Sequence, residues 1–326
     1  MMQLLLLSML AGQAGAPPVE IFNDTLRVVY DQAGLTFYAG TPPEPFLEVE
    51  DPGQGVAVTT VDAGPVSDPR WGKGQGMTLR LASGDTCTVS LFDGLPFAMF
   101  QRNLVNGSAD ERKVDKAPML TGRVEPRVAA EQLVTVSTAG LKRPEDEPGG
   151  YVWMSVAEPV SRRGTVCGWL TSERGSGIVR AKERDGDVAL EAWIDYGDLR
   201  VAAGASADTE IAVIGRFDDV REGLQHYGDA LARQLDVALP PMPTVYCTWY
   251  HARASDEETL ARNTDFAAEH LEAYSLRVMQ IDDYWQDGRS INGPRKNFSR
   301  VKPDGPYPGG MKKTADHVRS RGLVPG

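Results

Sequence analysis

Between Ile21 and Phe217 the sequence is cut into short apolar or alternating runs separated by turn residues, and this constrains the fold more than any other feature. The runs are Leu26–Tyr30, Leu35–Tyr38, Met77–Leu81, Thr86–Leu91, Gln132–Ser137, Tyr151–Val156, Thr165–Leu170, Val188–Ile194 and Glu210–Ile214. Breakers such as Ala82-Ser83-Gly84-Asp85 and Arg184-Asp185-Gly186-Asp187 stand between them. Alternation puts apolar side chains on one face of each strand, and that face must be covered by a second sheet. The spacing therefore predicts a large antiparallel β-sandwich over residues 20–217. Gly72-Lys73-Gly74-Gln75-Gly76 lacks the strand–loop–helix setting of a phosphate cradle and reads as a loop.

At Asp218 the period changes. Val220, Leu224, Tyr227, Leu231 and Leu235 recur at helical spacing, and Ala238-Leu239-Pro240-Pro241-Met242-Pro243 cannot continue that helix. Residues 218–243 are read as a linker helix with a Pro-rich linker, the best domain boundary in the chain. Beyond it the pattern is strand, helix, strand, helix. Thr244–Tyr250 is an apolar strand, and Ser255 with Glu258 forms a capping box. Leu260, Thr264, Ala267, Leu271 and Tyr274 mark one helical face, and Leu276–Ile281 is the second strand. A polar loop follows to about Gly310. Met311, Ala315 and Val318 then define a helix ended by Gly322, and Leu323-Val324-Pro325-Gly326 opens a third strand. Alternating strands and helices imply a parallel sheet or barrel. A (β/α)₈ barrel needs about 250 residues, and roughly eighty follow the linker. The expectation for 244–326 is an incomplete barrel, the chain being a fragment.

The N-terminus carries a short apolar run through Leu10 and Ala11, too short for a bilayer core of about 30 Å. Ala14-Gly15-Ala16 supplies a small-x-small cleavage site, though no Lys or Arg precedes the run. Residues 1–16 are read as a signal peptide, giving a secreted or periplasmic protein without a membrane anchor. The formal charge of −11 argues against a nucleic-acid partner, because binding phosphates needs clustered Lys and Arg. Cys87, Cys167 and Cys247 lack zinc or redox spacing and are read as buried free thiols, with one disulfide as the alternative.

Candidate chemistry lies at strand ends after the linker. Asp282 and Asp283 follow the second strand, and Trp249 with Tyr250 ends the first. Neighbouring carboxylates accept hydrogen bonds from adjacent sugar hydroxyls, and an aromatic ring packs on the apolar C–H face of a sugar. The competing reading makes Asp282 a turn cap and Asp283 a solvated charge, with Trp249 and Trp285 in the core. Paired aspartates also suit a hard cation. The following loop adds only Asp287 and Asp304, so neither metal nor other cofactor is expected. His226, His251, His270 and His317 form no triad or metal spacing; His251, which follows the first-strand segment, is read as a loop or surface residue, with contact to substrate as the alternative. Asn23-Asp-Thr25, Asn106-Gly-Ser108 and Asn297-Phe-Ser299 match the glycosylation triplet, a pattern that chance often supplies.

Several of these segments resemble, in order, those of glycoside hydrolase family 36 and its clan, the α-galactosidases (melibiases). Cys247-Thr248-Trp249-Tyr250 is similar to their first-strand segment. Gln280-Ile281-Asp282-Asp283-Tyr284-Trp285-Gln286 resembles their Asp-Asp-Gly-Trp motif. Tyr307-Pro308-Gly309-Gly310-Met311-Lys312, Ala315-Asp316 and Arg321-Gly322-Leu323-Val324-Pro325-Gly326 resemble the approach to their third strand, and Gly94-Leu95-Pro96-Phe97 a segment of their sandwich. The resemblance implies a large supersandwich followed by the start of a (β/α)₈ barrel. It further implies retaining exo-cleavage of terminal α-linked galactose from oligosaccharides, with Asp282, Asp283, Trp249 and Tyr250 binding substrate. The nucleophile and acid/base carboxylates, which must stand about 5–5.5 Å apart, belong to later strands and are expected beyond residue 326. Tyr284 replaces the motif's glycine, leaving open N-acetylgalactosamine as the sugar or galactosyl transfer of the raffinose-synthase kind. A non-catalytic carbohydrate-binding sandwich is the alternative of another class, and homo-oligomerisation is left open.

Overall fold

The computed structural model describes residues 17–125, 127–250, 256–288 and 296–326. The predicted signal peptide, Ser255 and His251 lie outside the described residues. The chain divides into two compact units, 1–238 and 239–326.

Among its described residues the first unit builds two antiparallel sheets. One has eight strands. It begins with the meander Val19–Phe22, Leu26–Asp31, Gly34–Ala39, Glu44–Val49 and continues through Arg112–Val124, Asp187–Val201, Ser176–Arg184 and Gly149–Tyr151. The other has ten. Its spatial order is Gly140–Lys142, Val134–Ser137, Trp153–Ala157, Gly164–Trp169, Ala212–Phe217, Ala98–Val105, Thr86–Phe92, Gly72–Leu81 and Val58–Asp68, with Ser206–Asp208 beside Ala98–Val105. Period-two side chains explain how they pack. Val188, Leu190, Ala192 and Ile194 point inward from one long strand, and Val28, Phe37, Met77, Val89, Phe100 and Trp169 meet them in a shared core. Cys87 and Cys167 are free thiols within it.

Trp169 of the ten-stranded sheet lies on Gly177 of the eight-stranded one. A Cβ on Gly177 would stand 2.3 Å from the indole Cγ, so only glycine admits the ring. The opposite face of the ten-stranded sheet is closed by a helix, α1 (Val220–Leu235), capped by Asp219, which accepts from Arg221 N at 3.0 Å. Tyr227 of α1 is buried with Phe97 and Val213, and its hydroxyl donates to Trp169 O at 2.6 Å. The Asn106 side chain is buried and donates to Asp110 O and Val201 O, so this triplet is not an available glycan acceptor.

The second unit holds a three-stranded parallel sheet, Thr244–Cys247, Leu276–Gln280 and Val324–Pro325, with Leu276–Gln280 central. Helices α2 (Glu257–His270) and α3 (Gly310–Ser320) connect the strands, and Leu260, Ala267, Met279, Tyr307, Val318 and Leu323 form the core. Among the described residues this is an open parallel sheet with two crossover helices, not a closed barrel. The α2 cap is Asp256, which accepts from Thr259 N at 2.7 Å. The predicted buried face stops at Ala267: Leu271 is 39% and Tyr274 80% exposed, because the chain leaves the helix at Leu271. The expected polar loop after the second strand contains a two-stranded antiparallel ribbon, Gln286–Gly288 with Lys296–Val301. Among the described residues no helix is long and apolar enough to cross a membrane.

Candidate functional site

Parallel strands bring their C-terminal ends to one edge of the sheet, and here those ends carry the polar residues. Cys247 pairs with Gln280 at the last register position, so Thr248 and Trp249 leave the first strand beside Asp282 and Asp283. The join is made by hydrogen bonds. Asp282 N donates to Thr248 Oγ1 at 2.9 Å, and the Cys247 thiol approaches Asp282 Oδ2 at 3.8 Å. Asp282 thus faces the neighbouring strand end, and Cys247 is half-buried beside it.

Asp283 has a different setting. Its carboxylate pairs with the Lys296 ammonium from the ribbon, the two side chains being 17% and 8% exposed. The Gln286 amide, oriented by its hydrogen-bonding partners, donates to Asp283 Oδ1 at 3.1 Å while its oxygen accepts from Trp285 Nε1 at 3.2 Å. The alternative of a solvated Asp283 is therefore incorrect: two donors hold it. Trp249 is not a core residue either, being 43% exposed, and Tyr250 is 88% exposed. Trp285 packs partly against the core. Two carboxylates and an accessible indole thus stand at adjoining strand ends, an arrangement able to hold a polyhydroxylated ligand.

Tyr284 lies at φ +75°, in the left-handed region. A bulky residue there costs energy that glycine does not. Tyr284→Gly is expected to stabilise the second unit by about 1 kcal/mol, measured as a rise in its denaturation midpoint. No change or a fall would show that ring contacts outweigh the backbone strain.

Lys296, Gln286 and Thr248 were not among the sequence candidates. Thr248 sits inside the first-strand motif and could have been found there. Lys296 is 13 positions from its partner, in a segment without periodicity. The described histidines serve elsewhere: His317 Nε2 lies 3.0 Å from Asp265 Oδ1, while His226 stacks on Phe217 and His270 rests against Phe266.

No protein-family model matches the sequence, and no curated protein matches it. Solved structures do match. The α-galactosidase from Lactobacillus brevis aligns with a TM-score of 0.57 at 11% identity, covering 96% of this chain and 54% of its own. The family 36 α-galactosidase AgaA from Geobacillus stearothermophilus gives 0.58 at 12%, covering 95% and 56%. A glycoside hydrolase family 97 enzyme variant from Pseudoalteromonas gives 0.57 at 9%, covering 94% and 53%. AgaA variants have been solved with stachyose and with raffinose. This chain has the fold that spans slightly more than half the length of these glycoside hydrolases, family 36 α-galactosidases among them.

Proposed function

We propose that this chain supplies the sandwich and the sugar-holding strand ends of a retaining, exo-acting glycoside hydrolase that removes terminal α-linked galactose from oligosaccharides. The observation that carries the reading is the meeting of Asp282 and Thr248 across two parallel strand ends, with Asp283 and Trp249 adjoining. Barrel enzymes place substrate-binding groups at that end of their strands, and the fold is shared with α-galactosidases. In this reading 244–326 is the first part of a (β/α)₈ barrel. Asp282 and Asp283 accept hydrogen bonds from neighbouring sugar hydroxyls, Trp249 packs on the sugar's C–H face, and Tyr250 borders it. The two carboxylates that perform the displacement are not among these residues.

Two outcomes test the reading. The chain should bind methyl α-D-galactopyranoside, followed by NMR titration, and Asp282→Asn should weaken binding about tenfold or more, since hydrogen bonds to charged groups contribute about 1.5–3 kcal/mol. Binding that ignores this substitution would move the sugar site elsewhere, as a carbohydrate-binding sandwich requires. The chain should also fail to hydrolyse an aryl α-galactoside; substantial turnover would place the catalytic carboxylates within it.

A further inference from the structure

We infer that Lys296 is a specificity-determining residue of the sugar site, acting with Asp283 as a two-sided clamp on one pyranose hydroxyl; this rests on the reading of the aspartates given above. The ammonium reaches Asp283 from a separate element, the Lys296–Val301 strand of the ribbon, and its side chain is only 8% exposed. An ion pair so enclosed is poorly explained by stability, because desolvating both charges offsets most of their attraction. Its chemistry fits recognition better. A sugar hydroxyl is at once a donor and an acceptor, whereas a carboxylate can only accept. Asp283 alone would accept the hydroxyl's hydrogen bond and leave the oxygen lone pairs unserved.

Lys296 carries three donors, and Asp283 engages one of them through Oδ1. In this clamp the remaining N–H groups donate to the hydroxyl oxygen whose O–H donates to Asp283. Gln286 donates to the same Oδ1 and is tied to Trp285, so the carboxylate is held in orientation with or without ligand. The clamp rejects ligands that lack the hydroxyl, because the enclosed ammonium and carboxylate would both lose a partner. The sequence segment that bears the Asp-Asp pair thus depends on a cation from the Lys296–Val301 strand, outside that segment.

The test compares the chain with Lys296→Met and Lys296→Gln, binding methyl α-D-galactopyranoside and its 2-, 3-, 4- and 6-deoxy analogues by NMR titration. For the unaltered chain, removing one particular hydroxyl should weaken binding about tenfold or more. In Lys296→Met the parent sugar should weaken by a similar factor, and removing that same hydroxyl should cost little further. Lys296→Gln, which keeps a donor, should fall between. If both variants retain the unaltered pattern across the analogues, Lys296 is a strut for Asp283 and the inference is overturned. Should Lys296→Met lose its folded circular-dichroism signal, Lys296→Gln and Lys296→Arg carry the same comparison. Failure of the unaltered chain to bind, or indifference to Asp282→Asn, would overturn the sugar-site reading and this inference with it. Loss confined to the Lys296 pattern would leave that reading standing.

Discussion

Replacing Arg216 with methionine is expected to lower the stability of the β-rich unit by about 3–5 kcal/mol, the cost of stranding a buried charge. Glu125 is its partner, with Nε–Oε2 at 3.2 Å and side chains 10% and 4% exposed. The other Glu125 oxygen accepts from the Thr165 hydroxyl at 2.7 Å. Arg216 and Thr165 are cross-strand neighbours in the ten-stranded sheet, whereas Glu125 directly follows the Arg112–Val124 strand of the eight-stranded one. The carboxylate therefore ties the sheets together at one end. Glu44, 3.7 Å from the Arg216 guanidinium, is too exposed to substitute. The loss should appear as a lower denaturant midpoint with an unchanged slope. Arg216→Met with Glu125→Leu should recover much of it, because no isolated charge remains. A single-variant loss below about 1 kcal/mol would mean that Glu125 finds water, and would refute its role as a sealed tie.

Trp169→Ala should cost the same unit about 3–5 kcal/mol. The indole is 1% exposed and rests where Gly177 leaves room for it. Cavity formation would also loosen the surface against which α1 packs through Tyr227. The decisive comparison uses Gly177→Ala. Alone, it should destabilise by about 1–3 kcal/mol through overpacking, since the new Cβ lies 2.3 Å from the ring. Combined with Trp169→Ala, it should cost almost nothing. Additive losses would show that the ring and the glycine are not coupled.

The strands read most readily in the sequence were those with an apolar face toward the core. Gly34–Ala39, Thr86–Phe92 and Gly164–Trp169 bury most of their residues and declare themselves by composition. Val58–Asp68 escaped because it is an edge strand, half-buried at best, and contains Gly64 and Pro65. Arg112–Val124 escaped because charges and Pro118 interrupt its alternation, and its partner Asp187–Val201 shifts register against it. Local pattern records which face a strand buries but not which distant strand completes its ladder. The second unit was more legible, since helical period and short strands alternate there, although the cap at Asp256 and the ribbon were not foreseen.

At the candidate site the aspartates and Trp249 stood in recognisable segments. Lys296 did not, because an ion pair between separate elements leaves no mark in either one's spacing. Tyr284 could be flagged as a departure from a motif, but its backbone angle explains why that place favours glycine.

The sealing of two thiols inside the sandwich bears on how the chain meets electrophiles. Burial pushes Cys167 up to about 12 and raises Cys87 as well, with Arg102 opposing only part of the latter effect. Since the thiolate is the reacting species and both side chains are buried, slow alkylation at neutral pH is the expected result for Cys87 and Cys167. Cys247 lies half-buried at a strand end, with its sulfur turned toward Asp282. Sulfur reactivity is therefore expected at the carboxylate-bearing strand end, where an adduct on Cys247 would crowd Asp282.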